Sequence, residues 1–173
     1  MIWNLGMNRR IAPWPAAKFR VRGQVVTASA NLNANSNDRI LTGECFCRDV
    51  RYEVADAFAY ALNCHCSNCR RTTGSAFKPF AGIVREKFTV VSGGDGLLIY
   101  GDEVTHDAHC GRCGSLLYSR VRDGAYVHVA MGTLRDVPAI RPSAHIFVGS
   151  KAPWYTITDG LPQYQEHVTQ SRE

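Results

Sequence analysis

Cys64-His65-Cys66-Ser67-Asn68-Cys69-Arg70-Arg71-Thr72-Thr73-Gly74 places three thiols within six residues, where a short apolar run gives way to the one stretch with helical character. The helix is expected to start after Cys66, with Ser67 as its cap, and to end at Gly74, where a left-handed residue closes a helix at little cost. On both sides of this stretch the chain reads as short strands broken by Gly, Asp and Pro, the pattern of an antiparallel β protein. The expected strands are Ile40–Cys45, Val50–Val54, Ala59–Asn63, Phe77–Val84, Phe88–Ser92, Leu97–Tyr100, Val104–His109, Ser115–Ser119, Tyr126–Ala130 and His145–Val148. Turns are expected at Ser92-Gly93-Gly94-Asp95-Gly96 and at Arg122-Asp123-Gly124. The fold class is mainly β, with one short helix after the C-x-C-x-x-C cluster.

The cysteines set the chemistry. Seven are present: Cys45 and Cys47, then Cys64, Cys66 and Cys69, then Cys110 and Cys113. An odd count in clusters too tight for long-loop bridges, with no secretory signal, points to metal rather than disulfides. Zinc is the first candidate for thiolate-rich tetrahedral sites, and iron is its main competitor. Gly111 and Gly114 let the backbone turn tightly, so that Cys110 and Cys113 approach one ion from a knuckle. Cys45 and Cys47, read as strand residues on one face, would complete a structural Cys₄ site. Two closed sites of this kind need eight sulfurs and the chain has seven. Cys64, Cys66 and Cys69 are therefore expected to hold a second ion with three protein ligands, the arrangement of catalytic zinc. The natural incoming ligand at such a site is another thiol, which zinc deprotonates at neutral pH.

Arg70 and Arg71 follow the cluster at once and are candidates for binding the carboxylates of an anionic thiol. Lys151 and Trp154 are weaker candidates for lining the substrate site. His65 and His109, each beside a cysteine, are expected to point away from the metal. Closure of the second site by either of them, by His106, or by a partner is the alternative that would leave a non-catalytic, zinc-stapled binding module. Asp102, Glu103 and Asp107 could include a proton shuttle, and no spacing selects one.

Composition is that of an ordinary globular protein, 45% hydrophobic and 20% charged. The longest apolar run, Ala57 to Leu62, is far short of the ~20 residues of a bilayer span, so the chain reads as soluble and not membrane-bound. Of the net charge of +5, residues 1–38 carry +4 and the remainder only +1, which argues against a nucleic-acid partner. Residues 1–38 lack sustained periodicity and end in a polar Asn-rich run; they read as a disordered or mis-assigned extension, with 39–173 as the zinc domain. The expected location is the cytoplasm, with mitochondrial targeting by the Arg-containing, acid-poor head as the alternative.

Four segments together resemble the glutathione-dependent formaldehyde-activating enzyme (GFA) family, which includes centromere protein V. They are Gly43-Glu44-Cys45-Phe46-Cys47, Cys64 through Ser75, Cys110-Gly111-Arg112-Cys113-Gly114, and His145-Ile146-Phe147-Val148-Gly149-Ser150-Lys151-Ala152-Pro153-Trp154. The resemblance covers about residues 39–168. It implies a β-tent of small antiparallel sheets around zinc, two Zn²⁺ per chain, and the same division of the cysteines into a structural four and a catalytic three. It also implies glutathione as cosubstrate and a carbon–sulfur lyase activity in reverse, adding the thiol to formaldehyde to give S-(hydroxymethyl)glutathione. The chain departs from the family pattern at Gly132-Thr133-Leu134-Arg135-Asp136, where an acidic residue is expected directly after the Leu.

Overall fold

The computed structural model describes residues 39–168; the expected extension, 1–38, lies outside the described residues, as do 169–173. The described chain is mainly β, with all ten expected strands present and their ends either as expected or displaced by one or two residues. Strands β1 (Ile40–Glu44), β2 (Arg51–Ala55) and β5 (Phe88–Ser92) form a three-stranded antiparallel sheet in the order β1-β2-β5. The second sheet contains β3 (Tyr60–Cys64), β4 (Lys78–Val84), β6 (Leu97–Gly101), β7 (His106–Cys110), β8 (Leu116–Val121), β9 (Tyr126–Ala130) and β10 (His145–Ile146). Its order is β10-β3-β4-β9-β8-β7-β6, with β10 parallel to β3 and every other pair antiparallel.

Two departures from the expected boundaries have local causes. β7 starts at His106 rather than Val104 because the Asp102 carboxylate accepts the backbone N–H groups of Val104 (2.7 Å) and Thr105 (2.6 Å), holding that segment in a turn. β10 stops at Ile146 because Phe147 takes a left-handed conformation, φ 56°.

The period-two alternation of strands divides the molecule into two cores. On one face of the seven-stranded sheet, Ile83, Val127 and Val129 pack with Leu41, Tyr52, Val54 and Phe88 of the smaller sheet. On the other, Leu62 and Phe80 pack with Ala144 and Ile146. Cys45 and Cys110 belong to the first core and Cys64 to the second, so the two thiol groups are separated by the sheet.

The helix α1 (Ser67–Thr73) follows β3 by two residues. Its cap is Cys66 rather than Ser67: Cys66 is extended and its Sγ accepts the backbone N–H of Cys69 at 3.3 Å. Gly74, at φ 60°, closes the helix as expected. Cys45 and Cys47 lie beyond β1 rather than on a strand, because Arg48 adopts φ 67° and its N–H returns to the Cys45 carbonyl at 3.0 Å. The C-x-C pair is therefore a second knuckle.

Candidate metal centres

The Sγ atoms of Cys45, Cys47, Cys110 and Cys113 all lie within 4.8 Å of one another. Cys45 and Cys47 are 3.5 Å apart, and Cys47 and Cys110 are 3.7 Å apart. A disulfide requires about 2.05 Å, whereas a tetrahedron with ~2.3 Å zinc–sulfur bonds has edges of ~3.8 Å, so the spacing fits an ion and not a bridge. The two knuckles are built alike. In the first, the Val50 N–H donates to Cys45 Sγ at 3.3 Å; in the second, the Gly114 N–H returns to the Cys110 carbonyl at 2.8 Å, with Gly114 at φ 76°. Ser115 joins them, its hydroxyl accepting the Phe46 N–H at 3.1 Å while lying 3.3 Å from Cys113 Sγ. Outside, Arg112 grips Asp49 through both carboxylate oxygens at 3.0 and 2.8 Å.

The thiols of this cluster do not ionise alike. The backbone N–H of Asp49 pulls Cys47 down, but burial and the neighbouring Cys45, Cys113 and Cys110 together push it up to about 12. At Cys113 burial acts upward, yet it is outweighed by the hydroxyl and backbone of Ser115, the backbone of Cys47 and the thiol of Cys110, which bring it down to about 5. One negative charge is tolerated and the next is resisted. A divalent cation relieves that conflict by displacing protons.

Cys64, Cys66 and Cys69 also lie with their Sγ atoms within 4.8 Å of one another. Cys64 ends β3, Cys66 caps α1, and Cys69 stands in the first turn of that helix. The Cys69 thiol is pushed up by its hydrogen bond to Cys64 and by burial, with the Lys78 ammonium opposing. Among the described residues no histidine nitrogen or carboxylate oxygen joins these three sulfurs. The donor chemistry, soft thiols at ligating distance, fits zinc at both groups.

None of the three histidines considered for the second site brings a nitrogen to the three sulfurs, and each is bonded elsewhere through at least one ring nitrogen, although the buried Nδ1 of His65 has no hydrogen-bond partner among the described residues. His65 is fully buried with Nε2 2.7 Å from His145 Nδ1, and His145 Nε2 lies 3.0 Å from both Asp159 oxygens. A carboxylate only accepts, so His145 donates through Nε2 and accepts the Nε2–H of His65 through Nδ1. His109 Nδ1 donates to the Gly114 carbonyl at 3.2 Å while Nε2 meets the Thr72 hydroxyl at 3.3 Å. His106 Nδ1 donates to the Asp102 carbonyl at 2.8 Å.

The model of the family described as glutathione-dependent formaldehyde-activating enzyme matches residues 40–150. The chain belongs to the GFA family. A solved structure of a Rhodobacter sphaeroides protein is similar to it at 27% identity and TM-score 0.48, covering 57% of this chain and 92% of that one. No curated protein matches the chain.

In this GFA member the cation facing the three-thiol group is one that sequence reading missed. Lys78 is the cross-strand partner of Cys64, 4% exposed, with Nζ donating to Ser119 Oγ at 2.6 Å. Ser119 in turn donates to Asp107, whose Oδ1 is 4.0 Å from Lys78 Nζ. Of the three acids considered, Asp107 is thus the one connected to the site. It also lines a hollow of about 530 Å³ with Asn68, Arg71, Thr72, Tyr100 and His109, bounded on one side by α1. Arg71 is placed there by a 2.7 Å bond to Asn68 Oδ1, whereas Arg70 is half-buried and does not line it. Both arginines lie in the last turn of α1 rather than at its start.

Lys151 and Trp154 do not line that hollow: Lys151 donates to the carbonyls of Tyr155 and Ala152, and Trp154 is largely exposed. The divergent loop is accounted for by local contacts. Arg135 pairs with Glu44 at 3.5 Å, and Asp136 accepts from the backbone and hydroxyl of Thr42, both at 2.7 Å, which fastens the loop to β1.

Proposed function

We propose that this chain is a zinc-dependent enzyme of the carbon–sulfur lyase type, run in the direction of addition of a thiol, glutathione, to an aldehyde such as formaldehyde. Cys45, Cys47, Cys110 and Cys113 would hold a structural zinc, and Cys64, Cys66 and Cys69 the reactive one. Zinc held by these three thiolates would supply Lewis acidity, keeping a cosubstrate thiol deprotonated at neutral pH. The observation that carries this reading is three sulfurs within 4.8 Å with no fourth donor from the described residues.

The chain's own residues orient and balance charge. Arg71 presents a guanidinium fork toward the hollow beside α1, suited to a carboxylate of the tripeptide, and Asn68, Thr72 and Tyr100 line its wall. Lys78 places a buried positive charge against a cluster of thiolates, and Ser119 and Asp107 hold it there. In the reaction the sulfur–carbon bond forms, the carbonyl π pair moves to oxygen, and that oxygen takes a proton from solvent. We read 39–173 as the zinc domain, with the cytoplasm as its location. No helix of the described residues is long and apolar enough to cross a membrane.

The test is spectroscopic. Cobalt(II)-substituted protein titrated with glutathione should show a change in its sulfur-to-metal bands that saturates, and that is absent when the Cys66→Ser variant is titrated. No spectral change at saturating glutathione in the intact protein would defeat the reading.

A further inference from the structure

A second polar cavity lies on the opposite face of the seven-stranded sheet from Cys64, where β5 of the smaller sheet meets β7 and β8. It has a volume of about 320 Å³ and is lined by Arg85, Phe88, Thr89, Val90, His106, Tyr118 and Arg120. No carboxylate lines it. Across the strands, His106 pairs with Arg120 and Ala108 with Tyr118, and Ala108 is fully buried, so His106, Tyr118 and Arg120 project to the same side of the sheet.

Both arginines are held by backbone carbonyls rather than by acids. Arg85 donates through Nη1 to the Phe88 carbonyl at 3.0 Å, and Arg120 through Nη1 to the Glu103 carbonyl at 3.0 Å and through Nε to the Gly124 carbonyl at 3.5 Å. Such bonds fix a guanidinium without neutralising it. Among the described residues neither arginine forms an ion pair. Asp102 and Glu103 line the adjoining hollow, which shares His106 and Arg120 with this one. The floor is aromatic, with the Phe88 and Tyr118 rings 4.7 Å apart. Arg85, Tyr118 and Arg120 line the same cavity, and the Tyr118 phenol is pushed up by burial and drawn down by the charges of the two arginines. Two like charges brought together over an apolar floor repel each other unless an anion lies between them.

We propose that this cavity is a binding site for a small oxyanion, carboxylate or phosphate, gripped by Arg85 and Arg120 with the Tyr118 hydroxyl as a third donor. The N–H groups that these carbonyls leave over, Nε and Nη2 of Arg85 and Nη2 of Arg120, can donate to the oxygens of either group, and the Phe88–Tyr118 floor takes an apolar body attached to it. The site lies apart from both thiol clusters, so it does not depend on the thiol-addition reading.

The zinc-loaded full chain, titrated with benzoate and separately with inorganic phosphate, tests this by calorimetry and by the Nε–H signals of arginine. For at least one probe, saturable binding is expected with a Kd of about 1 mM or tighter. The Arg85 and Arg120 signals should move together, and Arg85→Gln should weaken binding about tenfold or more. Binding of benzoate alone would mark a carboxylate with an apolar body as the ligand; binding of phosphate, a tetrahedral oxyanion. Because Arg120 also tethers the Glu103 turn, Tyr118→Phe serves as the second variant: it leaves the packing intact and should weaken the same probe severalfold. No saturation with either probe, or affinities unchanged in both Arg85→Gln and Tyr118→Phe, would overturn the proposal.

Discussion

The two thiol groups offer the same atoms at the same spacing and are built in opposite ways. The four-thiol group joins knuckles 63 residues apart in sequence, counted from Cys47 to Cys110, and is embedded in the larger core between the two sheets. The three-thiol group is supplied by six consecutive residues at the junction of β3 and α1, against the smaller core. A ligand set that spans the chain contributes closure of a long loop as well as metal bonds, so it acts on the whole fold. One drawn from a single turn does little for the global fold and is free to serve chemistry.

The largest effect separating the two should come from Cys110→Ser. Structural zinc in finger peptides is worth about 10–16 kcal/mol, comparable with a domain's net stability of about 5–15 kcal/mol. The variant is expected to lose its cooperative unfolding transition in circular dichroism. A folded Cys110→Ser protein with one ion fewer would break the comparison. Cys66→Ser should instead keep a cooperative transition while the metal content falls from two ions per chain to one, read by elemental analysis of the purified protein. Unfolding in both variants would show that the local group is also a staple.

A third expectation concerns the polar face that carries the three-thiol group. His128, bonded to Tyr60 at 2.7 Å and stacked on Phe80, is held down to about 3 by burial and then by Lys78, Arg122 and His167. An unfolded histidine titrates near 6.5. Between these values the unfolded chain takes up a proton that the folded chain refuses. The stability His128 contributes is complete above about pH 6.5 and falls by about 1.4 kcal/mol per pH unit as acid is added. Urea denaturation of the metal-loaded protein at several pH values checks this, and His128→Phe should flatten the slope by about that amount. The smallest effect is expected at Gly74→Ala. An added Cβ there meets nothing within 4 Å, so the cost is the left-handed φ of 60° alone, about 1 kcal/mol, with metal content unchanged.

Much of this comparison was legible in the sequence. Alternating short strands and their turns gave the ten elements, Gly74 marked the end of α1, and the cysteine count separated a group of four from a group of three. The C-x-C pair was misplaced because alternation on a strand and a knuckle put two side chains on one side equally well. What decides between them is the positive φ of Arg48, which no residue type there announces. Lys78 was overlooked because a lysine in a strand ordinarily reads as solvent-facing. Its burial depends on Ser119, 41 residues away, and on a strand order that brings β8 beside β9 and β9 beside β4. The His65–His145 bond links residues 80 positions apart through β10, a two-residue parallel strand too short to carry any periodicity.

A sheet that walls off one cluster from the other also partitions what mutation can explore. Side chains such as Lys78, Ser119 and Asp107 stand on the face away from the four-thiol knuckles, so exchanging them leaves the scaffold's anchoring untouched. Side chains can therefore vary on one side of a single layer of backbone while the other holds the architecture constant, and a fold built this way can change the surroundings of one cluster without renegotiating the other.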